Sequence, residues 1–263
     1  MTHIAVFDSG VGGLTVLRAI HRRLPGVSTA YLGDTARVPY GTRSAETVIR
    51  YARNAARFLV DRERPELFVV ACNTASAVAL PTLEAELDVR VIGVIEPTAA
   101  FAAAVTRVRR VGVIGTQGTI RAEAYQRALH SYATDIEVIA KPCPLFVPLA
   151  EEGWTHDEIS EAIAERYLAP IRAAGVDVLV LGCTHYPLLK EVIGHVMGPR
   201  VTLADAGEVT AERISEMLGP EGTERISTGV RRYYVTDLPG GFLKVAERFL
   251  EEPIEKLEEV DLV

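Results

Sequence analysis

The chain has 263 residues, 48% of them hydrophobic and 24% charged, the make-up of a globular protein with one large domain or two small ones. Its net charge of −7 argues against nucleic acid as a general partner. No apolar run approaches the roughly 18–20 residues a spanning helix needs, so no membrane association is expected. The opening MTHIAVFDSG is too short in its apolar part, and acidic too early, for a secretory signal, so a cytoplasmic location is the expectation. The three cysteines, Cys72, Cys143 and Cys183, form no disulfide framework and no short-spaced zinc pair.

Short apolar runs alternate with longer amphipathic segments, the pattern of an α/β fold with largely parallel sheets. A strand over His3–Phe7 leads through Asp8 and a Gly-rich turn to a helix near Gly13–Arg23. A strand at Ser28–Leu32 precedes the loop GDTARVPYG (33–41). A helix over Ala45–Arg62, a strand over Leu67–Ala71, a helix over Thr74–Leu87 and a strand at 89–94 follow. The cycle then repeats. RRVGVIGTQGTI (109–120) reads as strand, turn and helix, with strands at 135–140 and 176–182, helices at 156–174 and Pro187–Met197, and 200–208 closing the cycle. A helix near Val209–Leu218, a strand over 231–237 and a helix over Gly240–Leu250 complete the chain, and 251–263 reads as a solvated end. Two pseudo-symmetric lobes are expected, one from 1–97 with about 208–263, the other from 98–207, with the active site in the cleft between them.

In each half the third strand ends in a cysteine. VVACNTAS (69–76) and VLVLGCTHYP (178–187) both put a thiol at the carboxyl end of a buried strand, where parallel sheets bind ligands. A lone cysteine there is more often a small core residue. Polar Asn73, Thr74 and Ser76 suit a helix start, however, and a helix N-terminus favours a thiolate, drawing down the usual thiol value of about 8.5. His185 beside Cys183 suits proton relay, against the plainer reading of a core histidine. Asp8 is either a turn residue or a site carboxylate. The glycines after it could bring backbone N–H groups to a ligand, but no P-loop or dinucleotide spacing is present. Cys143, between prolines, reads as structural. Two thiols suit inversion of a carbon centre, which needs one proton acceptor and one donor on opposite faces. A cysteine nucleophile needs only one.

Together FDSGVGGLTV (7–16), GDTARVPYG (33–41), ACNTAS (71–76), GVIEP (93–97), GTQGT (115–119), VPLAEEG (147–153) and LGCTHYPLL (181–189) resemble the cofactor-independent aspartate/glutamate racemase superfamily. The form CTHYP looks like its glutamate racemases. The resemblance implies interconversion of L- and D-glutamate without pyridoxal phosphate or metal, in the supply of D-glutamate for peptidoglycan. Residue by residue it implies Cys72 as acid/base on the D-glutamate face, assisted by Asp8. Cys183 serves the L face, assisted by His185 and by a glutamate, Glu152, with its neighbour Glu151 as the alternative. It further implies Ser9, Tyr40, Gly41, Asn73, Thr74, Thr184 and His185 as substrate contacts, with hydroxyls from Thr116 and Thr119. Arg37 is an exception among motifs otherwise poor in cations. A homodimer is expected. The rival readings are an aspartate or broad-specificity racemase, a hydrolase or lyase using Cys72 alone, and a non-catalytic binder of acidic metabolites.

Overall fold

The computed structural model describes residues 3–223 and 229–262. In chain order the elements are β1 (His3–Asp8), α1 (Leu14–Arg23), β2 (Ser28–Gly33), α2 (Ala45–Glu63), β3 (Leu67–Val70), α3 (Asn73–Glu86) and β4 (Arg90–Gly93). There follow α4 (Ile95–Val105), β5 (Arg110–Gly115), α5 (Gln117–Arg121), α6 (Ala124–Tyr132), β6 (Glu137–Pro142), α7 (Phe146–Glu152), α8 (Glu158–Ala173) and β7 (Val178–Gly182). The chain closes with α9 (Lys190–Met197), β8 (Thr202–Asp205), α10 (Ala206–Thr223), β9 (Arg231–Val235), α11 (Phe242–Leu250) and β10 (Glu258–Glu259). Among the described residues no helix is long and apolar enough to cross a membrane.

The strands form two sheets. One runs β10-β9-β2-β1-β3-β4, the other β6-β5-β7-β8, and every pairing among the described residues is parallel. The order β2-β1-β3-β4 recurs in the second sheet as β6-β5-β7-β8, so the pseudo-symmetry is one of topology. The register is unbroken: His3 to Asp8 pair in step with Ser28 to Gly33, and Val111 to Gly115 with Val178 to Gly182.

The continuous apolar runs arise because parallel strands are covered on both faces. On β1, Ile4 and Val6 pack with Leu17, Ile20 and Ile214, while Ala5 and Phe7 pack with Leu59, Phe68 and Leu83. In the second sheet Ile114, Leu179 and Leu181 meet Leu168 and Ile193, and Val111, Val113 and Val180 meet Ala99 and Leu129. Burying each large side chain contributes about 1.5–3 kcal/mol. The chain reaches the second core with α4, whose Ile95, Ala99 and Ala102 lie in it. It returns with α10, whose Ala206 and Ala211 lie in the first. The expected division points at 97 and 208 thus fall inside helices.

The structure adds α4, α6 and α7 to the elements expected from the sequence. The alanine-rich α4 (IEPTAAFAAAV) is apolar almost all round, so it carries no amphipathic stripe. The carboxyl-terminal stretch is a departure from expectation. Its described part is no solvated end: Ile254 is buried, Val260 and Leu262 pack on the core, and β10 extends the first sheet beside β9. Val263 lies outside the described residues. The Ile254→Ala substitution is expected to lower unfolding free energy by about 2–5 kcal/mol in chemical denaturation, as for a core residue.

Candidate active site

Each sheet presents the carboxyl ends of its strands to a shared cavity of about 80 Å³. Cys72 follows β3, Cys183 follows β7, and both line it. So do Ser9 after β1, Tyr40 and Gly41 from the loop after β2, Asn73 and Thr74 at the start of α3, Thr116 after β5, and Thr184 and His185. A larger groove of about 580 Å³ along α4 and α10 contains neither cysteine.

The two halves meet at this cavity through polar contacts that cross between them, from the β1 end to the β7 end and from the β3 end to the β5 end. Thr15 Oγ1 donates to Thr184 O at 2.8 Å, and Thr184 Oγ1 donates to Asp8 Oδ1 at 3.4 Å. Thr74 and Thr116 share a hydroxyl contact of 2.9 Å. Tyr125 OH donates to Asn73 Oδ1 at 2.6 Å. Glycine at 12 is needed because a Cβ there would lie 2.2 Å from Thr184 Oγ1 and 2.5 Å from His185 Nδ1. The glycine-rich turn therefore receives side chains of the opposite half, where the sequence suggested room for a ligand. Gly41 does the same for Thr116, whose Cβ would be 2.7 Å from an added Cβ.

The surroundings of the two thiols differ. Cys72 caps α3: Ala75 N–H points to its Sγ at 3.5 Å, and the thiol donates to Ser9 Oγ at 3.4 Å. Burial and then the nearby Asp8 carboxylate push its pKa up to about 12, against the downward pull of the Ser9 and Ala75 contacts. Cys72 therefore carries its proton at neutral pH, and the downward shift expected from the helix terminus is overridden by desolvation. Asp8 is fully buried, behind the cavity wall, and accepts the Gly10 N–H at 2.9 Å. Burial raises its carboxyl above the usual range, while the charge of His185 and the N–H groups of Gly10, Gly13 and Ser9 oppose this.

Cys183 Sγ lies 3.9 Å from His185 Nδ1. The other ring nitrogen, Nε2, lies 2.9 Å from Glu151 Oε1. Burial works against a charged imidazole here, but Cys183 and Glu151 outweigh it and raise the His185 pKa to about 10. Glu152, the carboxylate expected at this place, is exposed, and its neighbour holds the ring. Successive helical residues are turned by about 100°, a consequence of 3.6 residues per turn, so only one of the pair on α7 can face His185.

Other expected contacts fall into two groups. Ser9, Asn73, Thr74, Thr116 and Thr184 present polar groups at the cavity. The Asn73 Nδ2 is buried and has no hydrogen-bond partner among the described residues. Thr119 instead sits behind the wall, its hydroxyl 3.0 Å from Thr116 and 3.3 Å from Thr74. Tyr40 lines the cavity, but its hydroxyl donates to buried Asp34. Arg37 Nε is likewise spent on Asp34 at 2.8 Å. Asp34 and Tyr125, not among the expected contacts, thus support the wall. Asp34 had a signal of the Asp8 kind, a carboxylate directly after a buried strand. Among the described residues no cluster of three or more His, Cys, Asp or Glu side chains is arranged to hold a metal ion.

Two thiols, a histidine and several hydroxyl and amide side chains thus line one small cavity. The model of the Asp/Glu/Hydantoin racemase family matches residues 4–214. The chain belongs to this family. It is 57% identical to the glutamate racemase of Geobacter metallireducens over 94% of this chain and 92% of the relative. The solved glutamate racemase of Francisella tularensis, in complex with D-glutamate, is similar at 36% identity and TM-score 0.91, covering 99% of this chain and 98% of that one. An isoform from Bacillus anthracis is similar at 38% identity and TM-score 0.93, with the same coverage. The parallel sheets flanked by helices are those of the family.

The raised pKa of His185 has a consequence for stability. Its contribution is complete below the unfolded-state value of about 6.5 and is lost as pH rises through about 10. The melting temperature of wild type should exceed that of His185→Gln most at pH 6, with the gap closing progressively to pH 10.

Proposed function

We propose that this chain is a glutamate racemase that interconverts L- and D-glutamate by a two-base transfer at the α-carbon, with Cys72 and Cys183 as the two acid/base groups. The observation that carries the proposal is that both thiols line one small cavity from the equivalent strand ends of two like sheets. The relatives named above support glutamate as the substrate.

Starting from L-glutamate, Cys183 as thiolate takes the α-proton and becomes a thiol, and the C–H electron pair stays on carbon. The Cys72 thiol then delivers its proton to the opposite face, giving D-glutamate and leaving a thiolate at Cys72. The reverse reaction exchanges these roles. The proton held on Cys72 and the cationic His185 beside Cys183 suit the L-to-D direction. Asp8 assists Cys72, and His185 with Glu151 assists Cys183. No pyridoxal phosphate or metal takes part in the proposed steps.

The α-proton is weakly acidic, so the developing charge must be met by fixed donors in a dry site. The Asn73 amide N–H, the hydroxyls of Ser9, Thr74, Thr116 and Thr184, and the backbone at the start of α3 supply them. Neutral donors hold the substrate carboxylates without overbinding the ground state. We read the two lobes, 1–97 with about 208–263 and 98–207, as parts that close over the substrate. The product feeds peptidoglycan synthesis. The three unpaired cysteines suit a reducing cytoplasm. A homodimer, the commonest soluble assembly, is part of the same proposal.

Racemisation followed by circular dichroism, with α-deuterium wash-in from D₂O, tests the proposal. Cys72→Ser and Cys183→Ser should each lower the rate by about 10²–10⁴-fold, the range for a general acid/base. A folded variant racemising at the wild-type rate would refute the two-thiol scheme. Replacing Glu151 by Gln should cut kcat up to about 10²-fold, as for a misplaced reacting group, whereas Glu152→Gln should leave it near wild type.

A further inference from the structure

The family match ends at residue 214, yet α11, well beyond it, reaches back to the cavity wall. Arg248 Nη1 donates to the backbone carbonyl of Glu151 at 2.8 Å. Phe249 is fully buried and meets the His185 ring edge to face, with centroids 5.1 Å apart and planes at 79°. Gly153, which ends α7, adopts φ +81°, and a Cβ there would lie 2.7 Å from the Arg248 guanidinium. Two consecutive residues of one helix therefore touch both supports of Cys183.

The setting makes these contacts informative. His185 must aim Nδ1 at Cys183 and Nε2 at Glu151 together. A modest tilt of the ring spoils both, since hydrogen bonds weaken steeply with misalignment. The Glu151 side chain is about half exposed, at 46%, so solvent competes for its carboxylate. α11 itself is seated in the first core through Ala246, Phe249 and Leu250, whereas Cys183 belongs to the second sheet.

We infer that Arg248 and Phe249 are positioning residues for the proposed reaction: Arg248 holds the last turn of α7 so that Glu151 meets Nε2, and Phe249 sets the plane of the His185 ring. The inference rests on the racemase reading for its kinetic consequence, but not for its structural one. The groups that face His185 are Asp8 at the end of β1, Cys183 after β7 and Glu151 on α7, with Arg248 on α11 touching the Glu151 backbone. Loosening Glu151 removes one of the anions that favour the imidazolium, so His185 should titrate at lower pH.

The test compares full-length wild type with Arg248→Ala, Arg248→Lys and Phe249→Leu, the last keeping an apolar side chain in the core. Imidazole NMR titration should show His185 moved to lower pH in Arg248→Ala and Phe249→Leu, and returned in Arg248→Lys. With glutamate, kcat should fall about 10–100-fold in the first two, as for small misplacements of a reacting group, with KM within about twofold. The pH–rate limb of His185 should move with the NMR value. Folded Arg248→Ala and Phe249→Leu proteins whose His185 titrates as in wild type would overturn the inference. A wild-type protein inactive on glutamate would instead refute the functional reading, with the titration still deciding the positioning role.

Discussion

The site depends on one constraint, the meeting of two parallel sheets at the carboxyl ends of their strands. Both faces of each sheet are taken up by helices, so the strand ends are where a ligand can reach the backbone. The order β2-β1-β3-β4 is repeated as β6-β5-β7-β8. The third strand of each half therefore delivers its cysteine to an equivalent place. Close contacts of Gly12 with Thr184 and of Gly41 with Thr116 let the loops approach until one small cavity remains. A larger side chain at either glycine would separate the halves that the proposed chemistry needs together.

Topology is shared, but environment is not. Cys72 is desolvated beside Asp8 and keeps its proton. Cys183 stands beside a histidine that Glu151 and the thiol itself favour in the charged form. Two identical side chains thus stand in unlike surroundings, one beside a buried carboxylate and one beside a histidine. The carboxyl-terminal segment adds to it: Thr236, after β9, donates to Asp34 at 2.9 Å, supporting the Tyr40 loop, and α11 touches His185 and the Glu151 backbone.

Much of this was legible along the chain. The runs HIAVF, LFVV and VLVLG are continuous because their strands are buried on both faces, and the polar residues just after them mark the ligand-facing ends. The motifs around Cys72 and Cys183 carried the family. Other features left no local trace. The alanine-rich α4 lacks an amphipathic stripe, and the short pairing of Glu258–Glu259 with β9 depends on an edge that only the assembled sheet provides. Nor does any motif mark Phe249 as a neighbour of His185.

The sequence by itself determined the parallel α/β architecture, the strand-end placement of both thiols and the family. These follow from hydrophobic periodicity and from short motifs, which are local properties. Only the tertiary structure decided that Glu151 and not Glu152 holds His185, that Thr119 and the Tyr40 hydroxyl serve the wall, and that Cys72 is a thiol at neutral pH. Each of these turns on helix rotation, on a partner far away in the chain, or on desolvation, and such quantities exist only once the halves have packed.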